Sequence, residues 1–237
     1  MNYGKDYPLV DSHAHINMSD FDNDRDEVIV RATENGIQAI HCPAELTDQD
    51  RLDVALRLRE KYPLISLSAG VHPHAAKDFR PEHIKAVSRL AAEDTILAVG
   101  EIGLDFHYDF SSRENQMDTF RRQLSAAEEN KLPVIIHSRL AGKQIHQITL
   151  EENFSRGGVL HCFTEDWDFA EKMMQKGIYI SFSGILTFPN AQDLRYVARK
   201  VPLDRLMVET DSPYLTPMPF RGRLKRNEPH YVRYPTE

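Results

Sequence analysis

The sequence is poor in several things, and each shortage excludes something. Only two cysteines, Cys42 and Cys162, stand among 237 residues. That is too few for a disulfide framework, and it suits a reducing cytoplasm. No apolar run reaches the roughly 18 residues of a membrane helix, so no membrane partner is expected. Met1–Pro8 is polar and lacks an apolar h-region, so no secretory signal is expected. Basic charge is outnumbered, 29 Lys and Arg against 36 Asp and Glu, a formal charge of −7. A fold-wide basic footprint for nucleic acid is therefore excluded. Low-complexity sequence is absent, and 41% hydrophobic with 27% charged residues is the balance of a globular chain. No Gly-x-Gly-x-x-Gly follows the first apolar run, which removes the main support for a dinucleotide-binding sheet.

What is present is alternation. Short apolar runs begin at Leu9, Ile37, Leu64, Ile96, Val134, Val159, Ile178 and Leu206. Near-continuous apolar runs of this length suit parallel strands buried on both faces. Between them lie amphipathic stretches with helix signals. Val28, Ile29 and Ala32 follow Asp24 and stop before Gly36. Pro81 precedes Ile84, Val87 and Leu90. Ser111 and Glu114 form a capping-box pattern before Met117 and Phe120. Gln144–Asn153 reads as a shorter helix. Eight strands alternating with seven helices predict an α/β protein, a (β/α)8 TIM barrel forming one domain over residues 1–237. The longest loops, Ile102–Phe110 and Ser212–Asn227, fall on the face where barrel active sites form.

Histidine is the class that stands out, with 11 copies. His13, His15, His41, His72, His74, His137 and His161 all fall at or just beyond the C-terminal end of an expected strand. Glu101, Asp105, Glu209 and Asp211 join them. Side chains alternate along a strand, so His13 and His15 project to the same side. Ends of strands 1, 4, 5, 6 and 8 converge over one mouth and bring together four histidines and two carboxylates. Burying such a set without a cation would cost several kcal/mol in desolvation. Six protein ligands exceed what one catalytic ion with open positions uses, so two ions bridged by Glu101 fit better. Imidazole with carboxylate suits zinc, manganese, nickel or magnesium. His41 and His74 are read as structural. Cys162 follows His161 directly, so alternation turns it away from the mouth, and both thiols are expected to be inert.

Six motifs carry a resemblance. Val10-Asp11-Ser12-His13-Ala14-His15, Gly70-Val71-His72-Pro73, Gly100-Glu101-Ile102-Gly103-Leu104-Asp105, His161-Cys162-Phe163, Glu209-Thr210-Asp211-Ser212-Pro213-Tyr214-Leu215 and Arg226-Asn227-Glu228-Pro229 stand in order along the chain. This set resembles the TatD family of metal-dependent hydrolases, from about residue 9 to 230. The resemblance implies a (β/α)8 barrel and a divalent-metal-dependent hydrolase, with deoxyribonuclease activity, often 3′→5′ exonuclease, among members. It implies His13, His15, Glu101, His137, His161 and Asp211 as metal ligands, the set that the strand ends select. It implies a catalytic part for His72. The chain departs from the family at Leu140-Ala141, where an acidic residue and alanine are usual.

Roles follow as expectations. Catalysis falls to Asp211, Glu101 and His72. Asp211 is expected to orient a metal-activated water and accept its proton. His72 is expected to stabilise developing charge or protonate the leaving oxygen. Glu209, two residues before Asp211, is expected to hold a ligand histidine by hydrogen bonding. Asp105, Arg221, Arg223 and Arg226 are expected to contact substrate, the arginines through phosphates. Two bound divalent ions would also change −7 to −3 and put positive charge at the mouth. The expected substrate is DNA, at single-stranded ends. The alternative is a small-molecule ester or amide hydrolysed at the same binuclear site. Ile96–Asp105 contains no lysine, which moves weight away from relatives that bridge their metals with a carboxylated lysine.

The last expectation concerns the end of the chain. The sequence stops about ten residues after Asn227, where an eighth helix should begin, and a usual helix has roughly 10–14 residues. The eighth helix is therefore expected to be largely missing. The groove over strands 8 and 1 should then be covered by the C-terminal tail or by another subunit, or lower the stability.

Overall fold

A computed structural model describes residues 8–236. Eight strands form one parallel sheet in sequential order: β1 (Leu9–Asp11), β2 (Ile37–Glu45), β3 (Ile65–Gly70), β4 (Ala98–Asp105), β5 (Val134–Arg139), β6 (Gly158–Leu160), β7 (Ile178–Phe182) and β8 (Leu206–Val208). Seven helices lie between them: α1 (Arg25–Glu34), α2 (Gln49–Lys61), α3 (Pro81–Ala92), α4 (Arg113–Glu129), α5 (Gly142–Glu151), α6 (Trp167–Met174) and α7 (Gln192–Lys200). The ladder ends at β8, and the seam to β1 is drawn together outside it. Ser12 donates to the Val208 carbonyl from its N–H (3.2 Å) and from Oγ (2.9 Å). Ala14 bridges Ser212 in parallel. The result is a nearly closed (β/α)8 barrel.

The strands formed where apolar, β-branched runs permit burial on both faces. All eight residues of β4 are buried, whereas the three of β8 are half-buried. β4 and β2 run further than their apolar content suggests. β4 continues through Gly103, where the chain has a φ of +137° and a Cβ would stand 2.1 Å from the His137 carbonyl oxygen. Only glycine tolerates that contact, and it lets β4 stay paired with β5 as far as Asp105–Arg139. β2 passes through Pro43 because its pairing with β1 ends at Ile40, so the missing N–H costs no ladder bond there. The helix caps are mostly where side chains predict them. Asp48 and Asp166 accept N–H groups at the starts of α2 and α6. Ser112, not Ser111, caps α4, and Ser111 instead donates to the His74 carbonyl (2.8 Å).

Among the described residues no eighth α-helix follows β8. A 3-10 segment, Pro229–Thr236, packs against α1, β1 and β8 instead. Val232 is wholly buried in the main core, and the Phe220 ring packs against those of Tyr231 and Tyr234. Glu228 takes a forked pair of hydrogen bonds from Arg31 of α1. The chain's own tail thus covers the groove in part. Val10 of β1 and Val30 of α1 stay 45% and 50% exposed. Among the described residues no helix is long and apolar enough to cross a membrane.

Candidate metal centre

The C-terminal ends of the strands open into a cavity of about 780 Å³. Glu101, on β4, lies at its floor, and its two carboxylate oxygens face two different groups. Oε2 is 3.3 Å from His13 Nε2 and 3.7 Å from His15 Nε2. Oε1 is 2.6 Å from His161 Nε2, 3.0 Å from His137 Nδ1 and 3.2 Å from His72 Nε2. Asp211 Oδ1 lies 3.3 Å from His15 Nε2. All six residues expected as ligands are therefore in one place. Asp211 is held with a φ of +55°, a left-handed conformation unusual for a residue with a Cβ, which is common where function fixes the backbone.

The donor set fits a divalent cation. Zinc–imidazole bonds of roughly 2.0–2.1 Å at a tetrahedral angle put two nitrogens about 3.3 Å apart. His13 Nε2 and His15 Nε2 are 3.2 Å apart, and His137 Nδ1 and His161 Nε2 are 3.3 Å apart. Three overlapping sets of donors fall within one metal's reach: His13, Glu101, His161; His13, His15, Asp211; and His72, Glu101, His137. Charge tells the same story. Burial pushes the Glu101 carboxyl up, but His161, His72 and the other imidazoles outweigh it and hold it well below the usual range. Burial disfavours a charged His161, yet Glu101 and Glu209 raise its pKa well above the ordinary value. The carboxylates draw positive charge into the cluster, and a metal ion would take the place of those protons.

Outer hydrogen bonds separate ligands from donors. His137 Nε2 meets Asp105 Oδ2 at 3.0 Å, and His161 Nδ1 meets Glu209 Oε1 at 3.3 Å. A neutral imidazole that donates outward to a carboxylate turns a lone pair inward, as a metal ligand must. His72 is the reverse. Its Nδ1 accepts the His74 backbone N–H (3.1 Å), so the proton of a neutral ring sits on Nε2, facing the cavity. Burial lowers the His72 pKa to about 4, which keeps the ring neutral at pH 7. His72 is thus arranged as a hydrogen-bond donor, although its distance alone would allow it to bind metal.

The residues expected to contact substrate fall in different places, and Asp105, though it lines the cavity, is already engaged by the protein. Asp105 is 1% exposed, and both oxygens are taken by protein donors: His107 N and Tyr108 N on Oδ1, His74 Nε2 and His137 Nε2 on Oδ2. It positions histidines. Burial raises its carboxyl, but those two imidazoles hold it far below the usual range. Arg221, Arg223 and Arg226 do not line the cavity. Arg226 grips Asp24 and Glu228 and covers the Phe21 ring, and Arg221 covers the Phe188 ring. The loop after β8 folds back on the barrel wall, which sequence spacing could not reveal. His74, read as structural, lines the cavity. His41 does not, and its Nδ1 bonds Ser66 Oγ at 3.0 Å. Cys162 lines the cavity too, against the alternation argument, because β6 ends at Leu160 and Cys162 takes a φ of +43°. Both cysteines are free, and burial raises Cys42 to about 12 and pushes Cys162 up as well.

Some cavity residues escaped the sequence. Glu45 lies beyond Pro43, which reads as a strand terminator, and its Oε2 accepts the His72 N–H at 3.0 Å. Arg51, in the first turn of α2, reads as a solvated helix residue. It lines the cavity, its Nε is buried without a partner among the described residues, and its Nη2 is 3.5 Å from His15 Nδ1. Arg139, Tyr108 and Tyr214 complete the rim.

Comparison with known proteins gives matches over nearly the whole chain. A family model described as TatD related DNase matches residues 10–237. An uncharacterized metal-dependent hydrolase of Bacillus subtilis, YabD, is 40% identical over 97% of this chain and 89% of its own length. A protein of Pectobacterium carotovorum named 3'-5' ssDNA/RNA exonuclease TatD is 33% identical over 94% of this chain and 87% of its own. The crystal structure of YJJV, a TatD homologue from Escherichia coli, superposes with a TM-score of 0.87 at 30% identity, over 95% of this chain and 87% of that one.

Proposed function

Because this chain belongs to the TatD family of metal-dependent hydrolases, we propose that it hydrolyses phosphodiester bonds at single-stranded ends of DNA, in the manner of a 3′→5′ exonuclease, with two divalent ions bound. The observation that carries this reading is Glu101, whose two oxygens face separate groups of imidazoles, His13 and His15 on Oε2 and His161, His137 and His72 on Oε1. A bridging carboxylate between two ligand groups suits in-line displacement at phosphorus. His13, His15 and Asp211 on one side of Glu101, and His137 and His161 on the other, would hold the ions. Zinc, manganese, nickel and magnesium all match the donor chemistry.

Two divalent ions, when bound, supply an acidified water and Lewis-acid polarisation of a phosphoryl oxygen. The protein supplies the rest. Asp211 orients the attacking water and takes its proton at the carboxylate. Burial raises this carboxyl, but the hydrogen bond from His15 and neighbouring imidazoles bring it below the usual range, so it is ionised and ready to accept. His72 Nε2–H donates to the oxygen on which negative charge develops. Glu45 holds the His72 backbone N–H, and the His74 amide fixes the His72 ring through Nδ1. Arg51, with no carboxylate within ion-pair range among the described residues, holds a substrate phosphate. A cytoplasmic location suits both the two free thiols and such a substrate.

Purified protein loaded in turn with each metal, then incubated with single-stranded DNA and with simple carboxylic esters, tests the reading. Metal-dependent shortening of DNA from its 3′ end, abolished by chelator, is expected. Turnover of esters with DNA left intact would replace it by the small-molecule alternative.

A further inference from the structure

The cavity rim is not uniform. Between β4 and α4 the chain raises two aromatic rings, Tyr108 and Phe110, stacked at 5.3 Å and 27°. They are 39% and 55% exposed, an unusual place for a stacked aromatic pair. His74 closes one side, with its ring 4.8 Å from Phe110 and 5.5 Å from Tyr108. Arg139, at the end of β5, lays its guanidinium 4.9 Å from the Tyr108 ring and makes no ion pair among the described residues. The shelf is fixed to the metal centre through one residue. Asp105 accepts the Tyr108 N–H on Oδ1 (3.0 Å) and holds His137 on Oδ2 (3.0 Å). Tyr108, Arg139, His15, His137 and His161 line the same cavity, and Phe110 stands just outside its lining, stacked on Tyr108.

We infer that Tyr108, Phe110 and Arg139 form a subsite that stacks an unpaired nucleobase of the nucleotide beside the scissile phosphate. The inference rests on the nuclease reading and extends it to how the substrate is gripped. Aromatic faces bind bases of any sequence, and an unpaired guanidinium beside them serves the neighbouring phosphate or stacks on the base edge. A paired base could not reach the shelf, so the subsite selects single strands and frayed ends. It carries no preference among bases.

The test uses metal-loaded full-length protein, wild type, Tyr108→Ala, Phe110→Ala and Tyr108→Phe. Substrates are a short single-stranded DNA, the RNA of the same sequence, and the same DNA with abasic nucleotides at its end. Each alanine variant is expected to raise KM for intact DNA and RNA about tenfold, the size of one base–aromatic stack, with kcat changed less than about twofold. Tyr108→Phe should behave as wild type. On abasic DNA the alanine variants should match wild type, since the base they would grip is gone. Equal weakening on intact and abasic DNA, or no change on either, would overturn the shelf while leaving the nuclease reading in place. A response to RNA alone would overturn a base-only grip and assign the shelf to the ribose. If wild type shortens none of the oligonucleotides but turns over a simple ester, the nuclease reading fails and the shelf falls with it.

Discussion

The two flanks of Glu101 are built differently. On the β5–β6 flank each imidazole is held by a carboxylate, His137 by Asp105 and His161 by Glu209. On the β1–β8 flank His13 Nδ1 is buried without a partner among the described residues, and His15 Nδ1 meets only Arg51 at 3.5 Å. There the backbone does the positioning. Asp211 N–H donates to the His13 carbonyl (2.9 Å), and His15 N–H donates to the Ser212 carbonyl (2.7 Å). Asp11, fully buried, accepts the Thr210 N–H (2.8 Å) and meets the Thr210 hydroxyl at 2.5 Å. One flank orients its ligands through side chains, the other through the seam that closes the barrel. Damage to the first should weaken metal binding selectively. Damage to the hydrogen bonds of the seam itself, as opposed to a side chain that only reaches into the cavity, should cost fold and site together.

The largest expected effect lies on the seam flank. Asp211→Ala should lower metal-dependent hydrolysis by several orders of magnitude while the circular dichroism and melting temperature stay near wild type. Near-normal turnover by that variant would remove Asp211 from the chemistry. Next comes Asp11→Ala, which leaves buried donors at Thr210 and His13 unpaired. It should cost about 2–4 kcal/mol, seen as a melting temperature lower by roughly 5–15 °C. Burial raises the Asp11 carboxyl to about 8, so a neutral Asp11→Asn should cost much less. Equal losses in the two variants would mean that Asp11 acts as a charge and that the seam is not a hydrogen-bonded clamp.

The side-chain flank gives a smaller, more selective effect. Asp105→Asn keeps an oxygen for His107 N–H and Tyr108 N–H but offers His137 Nε2 an amide that cannot accept. Metal affinity, read by competition with a chelating dye, should fall about 10–100-fold with little change in melting temperature of the apo protein. A matching loss of apo stability would show that Asp105 serves the fold more than the metal, and the two flanks would then differ less than their hydrogen bonds suggest.

These flanks were not equally legible in the sequence. The strand count, the barrel and the six candidate ligand positions follow from apolar period and from histidines and carboxylates at strand ends, because both depend on local spacing. The hydrogen-bonding partners split. Glu209 is within reach of the alternation argument, being two residues from Asp211. Asp105 looked like a substrate contact, because nothing local says that Gly103 lets β4 continue and turn that carboxylate under His137. The arginines failed for the opposite reason. Arg226 is conspicuous in a basic run, yet Asp24, 202 positions away, claims it. Charge density along the chain does not say which charges are already paired in space.

Arg51 separates these two kinds of basic residue, and its effect is the smallest. If His15 Nε2 points inward as a lone pair, its Nδ1 carries hydrogen, and Arg51 finds no acceptor there despite the 3.5 Å approach. Its buried Nε also lacks a partner among the described residues, so the guanidinium is left to an incoming anion. One phosphate hydrogen bond at a partly solvated rim is worth about 1–1.5 kcal/mol. Arg51→Ala should therefore raise KM for single-stranded DNA roughly five- to tenfold at unchanged metal affinity. Neutralising Arg221, Arg223 and Lys225 together should change it less than about twofold, because the two arginines lie outside the cavity lining and Lys225 stands exposed beside them. The reverse result would return phosphate binding to the loop after β8. Arg51 would then be a helix residue that merely lies near His15, and the seam flank would have no part in holding substrate.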